Sequence, residues 1–528
     1  MEDLTMYQYF KKHGIDVAPK ETKLIFMGEK IDAFRLLQHV DQVASFLVSF
    51  GVKAGEAVGV CLPNIPQAVA AVYGINKIGA IVNSIHPLIS TKALVDALNK
   101  TGSRIVFLLD RMVAKHEAEL HKNGIVIVSC RMSDFVSGIK GMAMKLTEPG
   151  KNNFITEYND IFSRRARVDV ATDPDAPAVY LHSGGTESDP KTVVLSSRAF
   201  NALADNIIET ECGESGYSID DTMLMVLPIF HGFGLGVSLH TIVSHAKLVL
   251  MPRFDPSKAI KLIKKYKVSF LAGIPQMFEK MLNERAFDGE YLSSLKYVFC
   301  GGDKLATDLK EKFDAVLKKN GSSAEILEGY GLTEVTTVVS VNRPGECKAG
   351  SQGPAMVGGE MIIVDEEMNE VPRGTVGEIL VTSAANMIGY LNDEDATARC
   401  FVEKNGKTFV KTGDLGYMDE DGYLFFKDRK KRLIKISGVS IFPSEVEHIV
   451  ESMREVDAAC VTPTTVNGKP ATRLSIVLNS KFRWSPLIEQ RIKDNILANT
   501  IKYAVPREIR VVKSLPRTMV GKVDYKKV

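Results

Sequence analysis

Between residues 175 and 331, short apolar runs alternate with stretches whose apolar positions recur at helical spacing. This pattern predicts strands at 178–181, 224–227, 248–251, 268–271, 297–300 and 325–327, and helices at 198–210, 257–266, 275–283 and 307–318. The same rhythm runs from residue 33 to about 130, with helices at 36–50, 66–78 and 91–100 and strands at 57–62, 81–82 and 105–108. Strands separated by helix-length segments point to parallel sheets with crossover helices. From 350 to 423, glycine, proline and charge punctuate short β-like runs, which predicts a β-rich subdomain. A basic run at 427–432 breaks the chain again, and the order beyond it reads β, α, β, β, α. The expected fold is therefore α/β. Residues 1–428 form a large N-terminal domain of parallel-rich sheets, with the β-rich subdomain near 350–425. Residues 429–528 form a small α+β domain.

A chain of 528 residues exceeds one hydrophobic core, in keeping with several domains. Its 45% hydrophobic and 25% charged residues are ordinary for a globular protein. The N-terminus has no basic start and no apolar run, so a secretory signal is not expected. The stretch 222–246 is nearly free of charge, but it carries Pro228, three histidines and three glycines. It reads as buried strand, loop and core helix rather than a membrane span. The seven cysteines are scattered without CxxC spacing, so neither a zinc nor a redox site is indicated, and a reducing cytosol is expected.

Net charge is +2, unevenly spread. Residues 429–528 hold 20 Lys and Arg against 9 Asp and Glu, a balance of +11, which leaves −9 for the rest. A basic domain suits an anionic partner. There is no dense Lys/Arg block, aromatic stacking series or zinc finger, so nucleic acid is not that partner and a phosphorylated small molecule is preferred.

The chemistry lies in five segments. Ser183-Gly184-Gly185-Thr186 opens a loop that runs to Lys191 and follows a predicted strand. Small residues there let backbone N–H groups turn toward phosphate oxygens. The loop approaches a Walker A sequence, but Pro190 stands at the second glycine, where it removes a donor and cannot take positive φ, so a P-loop NTPase is rejected. Then come Glu328-Gly329-Tyr330-Gly331-Leu332-Thr333-Glu334, Lys411-Thr412-Gly413-Asp414, Asp428-Arg429 and Gly521-Lys522. A lysine so near a chain end is ordinarily a solvated charge. The five segments in this order give it another meaning.

From about residue 30 onward the chain resembles the adenylate-forming superfamily: acyl- and aryl-CoA synthetases, peptide-synthetase adenylation domains and luciferases. The resemblance implies a two-step reaction using ATP, Mg²⁺ and coenzyme A. A carboxylate attacks the α-phosphate of ATP, and a thiol then displaces AMP. Carboxylate meeting triphosphate is anion against anion, so cations and N–H donors must offset charge developing at phosphorus. By the resemblance, Lys522 bridges carboxylate and α-phosphate, Thr333 meets the α-phosphate, and Thr186 and Glu334 hold magnesium, which uses few carboxylates plus phosphate oxygens. Tyr330 stacks on adenine beside Glu328, Gly329 and Gly302, and Asp414 with Arg429 takes the ribose. Lys431 matches the hinge about which a mobile C-terminal domain rotates between half-reactions. Lys435 and Gly438 match the loop that then enters the site for thioester formation.

His231 stands where amino-acid-activating relatives carry an aspartate, so an α-amino acid is disfavoured and a gating role is implied. Phe233, Val237, Gly301, Thr337 and Val338 are expected to wall an acyl pocket that suits an apolar fatty or aryl tail. Three departures stand out in the phosphate loop: Glu187 replaces a hydroxyl residue, Ser188 a glycine and Thr192 the final glycine. Ser440 stands where many relatives have glutamine. The expected activity is an AMP-forming acid–CoA ligase in the cytoplasm, with a homodimer left open. Its rivals are transfer to a carrier-protein pantetheine and, because of Glu187, a ligand-binding pseudoenzyme.

Overall fold

The computed structural model describes residues 2–148, 155–163, 166–182, 191–212, 217–436, 439–466, 468–517 and 523–528. Among these, two eight-stranded sheets carry most of the chain. In the first, Ala57–Cys61, Ile81–Ser84, Ile105–Leu109 and Val126–Cys130 run parallel, and Pro177–His182 joins them beside Ile81–Ser84. Thr192–Ser196 returns antiparallel. The second sheet holds Thr222–Met225, Lys247–Leu250, Phe270–Gly273, Tyr297–Cys300 and Ile326–Tyr330 in parallel.

The strand predicted at 268–271 begins two residues later, because Val268 and Ser269 close the preceding helix turn and brace Thr222. Strands outside the predicted set include Val126–Cys130, Thr192–Ser196 and Thr22–Phe26. Thr22–Phe26 forms a hairpin with Glu29–Asp32 and enters the second sheet beside Lys247–Leu250, with Leu24 opposite Leu248. The first residues of the chain are therefore part of the far half of the domain.

The helices start where local chemistry allows. Asp32 accepts from the Arg35 N–H at the head of Ala33–Ser49, and Asp255 accepts from the Lys258 N–H before Pro256–Tyr266, which has proline in its first turn. Helices Ala33–Ser49, Pro66–Lys77, Ser197–Cys212 and Gly232–Val243 share one core with strands of both large sheets. Burying that common apolar surface is what holds the two sheets to one another. Residues 222–246 form a strand and a buried helix, as read, and no helix among the described residues is long and apolar enough to cross a membrane.

The predicted β-rich segment is a five-stranded antiparallel sheet of Gly359–Val364, Gly377–Ser383, Phe401–Lys404, Lys407–Met418 and Leu424–Arg429. Beyond it the order is richer than predicted. Ile434–Ile436 and Val439–Ile441 make a small hairpin, and Glu508–Val511 adds a parallel edge strand to Lys469–Leu478. These last elements have their own core, with Ile441, Val450, Leu474, Ile476, Ile492 and Ile496 at its centre.

Candidate active site

A cavity of about 2720 Å³ opens between the C-terminal ends of the second sheet, the β-rich sheet and the C-terminal elements. It exceeds the ~300–1,000 Å³ of a pocket for one small ligand, so it has room for several substrates at once. Each part of its wall has a local cause.

The first wall comes from register. Asp414 on Lys407–Met418 lies opposite Arg429 on Leu424–Arg429, and the two pair at 3.3 Å (Oδ1 to Nε). Tyr330 ends the strand Ile326–Tyr330, and its hydroxyl donates to Asp414 Oδ2 at 2.7 Å. The Asp414 carboxylate is 2% exposed, and Tyr330 is buried with its phenol pushed well above the usual range by that burial. Phe426 faces the Tyr330 ring at 6.1 Å. Glu328, two residues before Tyr330, is buried and its carboxyl is pushed up to about 7, chiefly by desolvation. Gly329 pairs with Val341, and Gly302, at φ +81°, turns the chain out of Tyr297–Cys300.

The next wall is a tight turn. Thr333 and Glu334 sit in a single helical turn, Thr333–Val335. Glu334 Oε1 accepts from the Tyr390 hydroxyl at 2.9 Å, and Lys191 Nζ lies 4.4 Å from the centre of the Tyr390 ring. Thr336 and Thr337 follow with φ 62° and 144°, a left-handed backbone that costs energy in a β-branched residue. The bend brings the Thr337 carbonyl to 1.6 Å from where a Cβ on Gly331 would sit, so only glycine fits there.

The third wall is the helix Gly232–Val243, whose N-cap is His231. His231 Nδ1 accepts from the Phe233 N–H at 3.4 Å, while its ring lines the cavity. A Cβ on Gly234 would lie 2.0 Å from the Pro228 carbonyl, so glycine permits the sharp entry into the helix. Phe233, Val237, Gly301, Thr337 and Val338 all line the cavity, and the Phe233 ring comes to 3.3 Å from where a Cβ on Gly301 would sit.

The structure thus brings together His231, Gly301, Gly302, Glu328, Gly329, Tyr330, Thr333, Glu334, Asp414, Arg429, Lys431 and Lys191 on one cavity. It does not bring Lys435 there. Lys435 is exposed on Ile434–Ile436 and pairs with Glu366 at 3.1 Å (Nζ to Oε1). Ser183, Gly184, Gly185, Thr186, Glu187, Ser188, Gly438 and Lys522 lie outside the described residues. The residues either side of the last segment, Arg517 and Val523, bridge to each other and both line the cavity. Tyr390 and Phe426 were not read from the sequence. Tyr390 sits in the two-residue strand Gly389–Tyr390, and a single aromatic in so short a strand carries no periodic signal.

A buried carboxylate beside a guanidinium and a tyrosine ring suits a nucleoside, and the glycines leave its plane unobstructed. No group of three or more His, Cys, Asp and Glu able to hold a metal occurs among the described residues. Glu334 alone suits a magnesium ion that draws its other ligands from phosphate.

The sequence profile of AMP-binding enzymes matches residues 12–391, and that of their C-terminal domain matches 445–522. The chain belongs to the AMP-binding enzyme family. This bears out the resemblance to adenylate-forming enzymes. A long-chain-fatty-acid–CoA ligase of Bacillus subtilis (strain 168) is 30% identical over 527 residues, covering 96% of this chain and 90% of the relative. A 4-coumarate–CoA ligase of Vanilla planifolia is 28% identical, with 91% and 85% covered. The solved anthranilate CoA ligase AuaEII, in complex with anthranoyl-AMP, superposes with TM-score 0.85 at 21% identity over 100% of this chain and 97% of its own. A benzoate CoA ligase from Burkholderia xenovorans LB400 also gives 0.85, at 20% identity over 99% of each chain. These likenesses establish that this AMP-binding enzyme shares their fold.

Proposed function

We propose that this AMP-binding enzyme is an ATP-dependent, AMP-forming acid–CoA ligase that activates an apolar carboxylic acid. The observation that carries the reading is one cavity that joins two unlike walls. One is the Tyr330–Asp414–Arg429 corner, polar and charged. The other is an apolar channel along Phe233 and Val237. A nucleotide and an acyl tail can lie in it end to end, with the carboxylate between His231 and Thr333. The CoA ligases among its relatives support the acceptor.

In this reading Asp414 accepts from the ribose hydroxyls and Arg429 holds its carboxylate in place. Thr333 donates to the α-phosphate. Lys191 and Lys522 offset charge as carboxylate oxygen approaches phosphorus, the state in which fixed cations stabilise most. Magnesium, held by Glu334 and by Thr186, would neutralise the leaving pyrophosphate. The Tyr390 hydroxyl orients Glu334 through its 2.9 Å hydrogen bond.

Lys431 is assigned as the hinge between residues 1–428 and 429–528. Its neighbours support this. Lys430 is tied to Glu378 at 2.6 Å on the β-rich sheet, and Arg432 to Glu447 at 2.5 Å on Pro443–Glu451. Rotation there would exchange the Lys522 segment for Lys435 and Gly438, which explains why Lys435 now faces Glu366. The basic C-terminal domain suits the phosphates of coenzyme A. Cys61, Cys130, Cys300, Cys347, Cys400 and Cys460 are free, which supports a reducing, cytosolic setting.

The test is incubation with ATP, Mg²⁺, free CoA and a panel of fatty and aryl acids, followed by mass spectrometry. Acyl-CoA together with AMP is expected. Acyl-adenylate without thioester would transfer the assignment to a carrier-protein acceptor, and neither product with any acid would overturn the ligase reading.

A further inference from the structure

One helix of the N-terminal domain turns its apolar side outward. In Gly138–Lys145, Gly141 is buried and Met144 is partly buried against the main core. Ile139 and Met142 point the other way, 83% and 61% exposed, and Leu146 at the helix end is 87% exposed. Spacings of three and four residues put these three in one stripe along the helix. A globular helix ordinarily buries its apolar stripe and shows its polar one. Here a Cβ on Gly141 would lie 2.0 Å from the Val136 carbonyl, so glycine lets the helix lie flat on the chain before it and keeps the stripe outward.

The charges around the stripe have one sign. Lys140 follows Ile139 and Lys145 precedes Leu146, so each lysine stands about 100° round the helix, on opposite sides of the stripe. Both are exposed, and Lys140 Nζ donates to the Met27 carbonyl at 2.7 Å, which ties the helix to the turn of the hairpin Thr22–Phe26 and Glu29–Asp32. Met27 is itself 36% exposed, so the apolar surface continues onto that turn. No acidic residue occurs from 137 to 147. The two acids at its ends are turned to the protein: Glu29 Oε1 accepts from the Ser137 N–H and hydroxyl, and Glu148 accepts from the Ser133 N–H and hydroxyl. An apolar stripe between two lysines is complementary to a surface that is apolar within and negative at its rim. A lysine stem lies along apolar groups while its ammonium reaches the polar layer above.

We propose that Gly138–Lys145, with Leu146 and Met27, is a docking surface for a lipid bilayer that carries anionic headgroups. The helix is about 12 Å long, far short of the ~30 Å of a bilayer core, so it lies in the interface and does not cross. Ile139, Met142 and Leu146 enter the boundary between headgroups and acyl chains, and Lys140 and Lys145 meet lipid phosphates. The proposal goes beyond the ligase reading and does not rest on it. If that reading holds, docking places the enzyme where an apolar acid is dissolved.

The test mixes the full chain with vesicles of phosphatidylcholine alone, or of phosphatidylcholine with about one third phosphatidylglycerol, and reads binding by flotation at low salt. Binding to the anionic vesicles about fivefold tighter or more is expected. The double variant Ile139→Ser, Leu146→Ser should weaken it about tenfold or more, and Lys145→Glu about fivefold or more. These side chains are exposed, so Tm should stay at the wild-type value in both variants. A wild type that floats with neither vesicle, or equally with both, overturns the proposal, and so do variants that float as the wild type does. A wild-type dimer in sedimentation velocity that the double serine variant splits, without vesicle binding, also overturns it and gives the face to a second copy of the chain. Binding is read without ATP or acid, so it stands or falls separately from the ligase reading.

Discussion

The nucleotide corner and the acyl channel share one cavity but are built in different ways. The corner is held by strand register: Asp414 faces Arg429 across a ladder, and Tyr330 reaches Asp414 from the end of a neighbouring sheet. The channel is lined by side chains from Ser197–Cys212, Gly232–Val243 and the ends of several strands. Moving one residue in a ladder moves every partner, whereas a helix face changes one side chain at a time. The corner is therefore fitted for a constant ligand, and the channel can be retuned to another acid without disturbing it.

The largest effect is expected at Lys522. Lys522→Ala should lower adenylation by about 10²–10³-fold while sparing thioester formation from supplied acyl-adenylate. Lys435→Ala should do the reverse. Rapid-quench measurement of the two half-reactions checks this, and equal loss of both in either variant would remove the hinge from the account.

Asp414→Ala comes next. It deprives both Tyr330 and Arg429 of a buried charged partner, for ~1.5–3 kcal/mol, so kcat/KM for ATP should fall about 10- to 100-fold. The preference among acids should stay as it was. A changed acid preference would show that the two regions are not independent.

A smaller effect is expected at Glu187. A carboxylate ~4 Å from a phosphate at an effective dielectric of ~20 is repelled by about 4 kcal/mol before screening. Glu187→Thr should therefore tighten ATP binding several-fold, and an unchanged apparent affinity would mean that this side chain points away from the phosphates.

The smallest effect concerns pH. Glu328 titrates in the fold at about 7, against an ordinary 4.5, because burial penalises its charge. The folded state thus binds the extra proton between those values. Its contribution to stability is full below about 4.5 and is lost as pH rises through 7. Glu451, also pushed up to about 7 by burial, adds a second slope of the same sign. Wild-type Tm should fall between pH 5 and 7.5 more steeply than that of Glu328→Gln, and parallel profiles would contradict the assignment.

The alternation of periods made the parallel sheets legible, and strand 297–300 and helix 307–318 fall within a residue of where they form. The nucleotide residues were legible because the motifs keep several of them contiguous, as from Glu328 to Glu334. The unread features are long-range. Thr22–Phe26 is an ordinary apolar run until Lys247–Leu250 pairs with it. The second strand of the hairpin Ile434–Ile436 and Val439–Ile441 and the edge strand Glu508–Val511 are too short to leave a period.

The central claim is that a carboxylic acid is activated on ATP in this cavity. ATP–pyrophosphate exchange with and without each acid, using the wild-type chain with Mg²⁺ and no CoA, tests it most directly. Exchange that depends on an apolar acid and disappears in Lys522→Ala is predicted. Exchange that proceeds without any acid, or that no acid elicits, would contradict it.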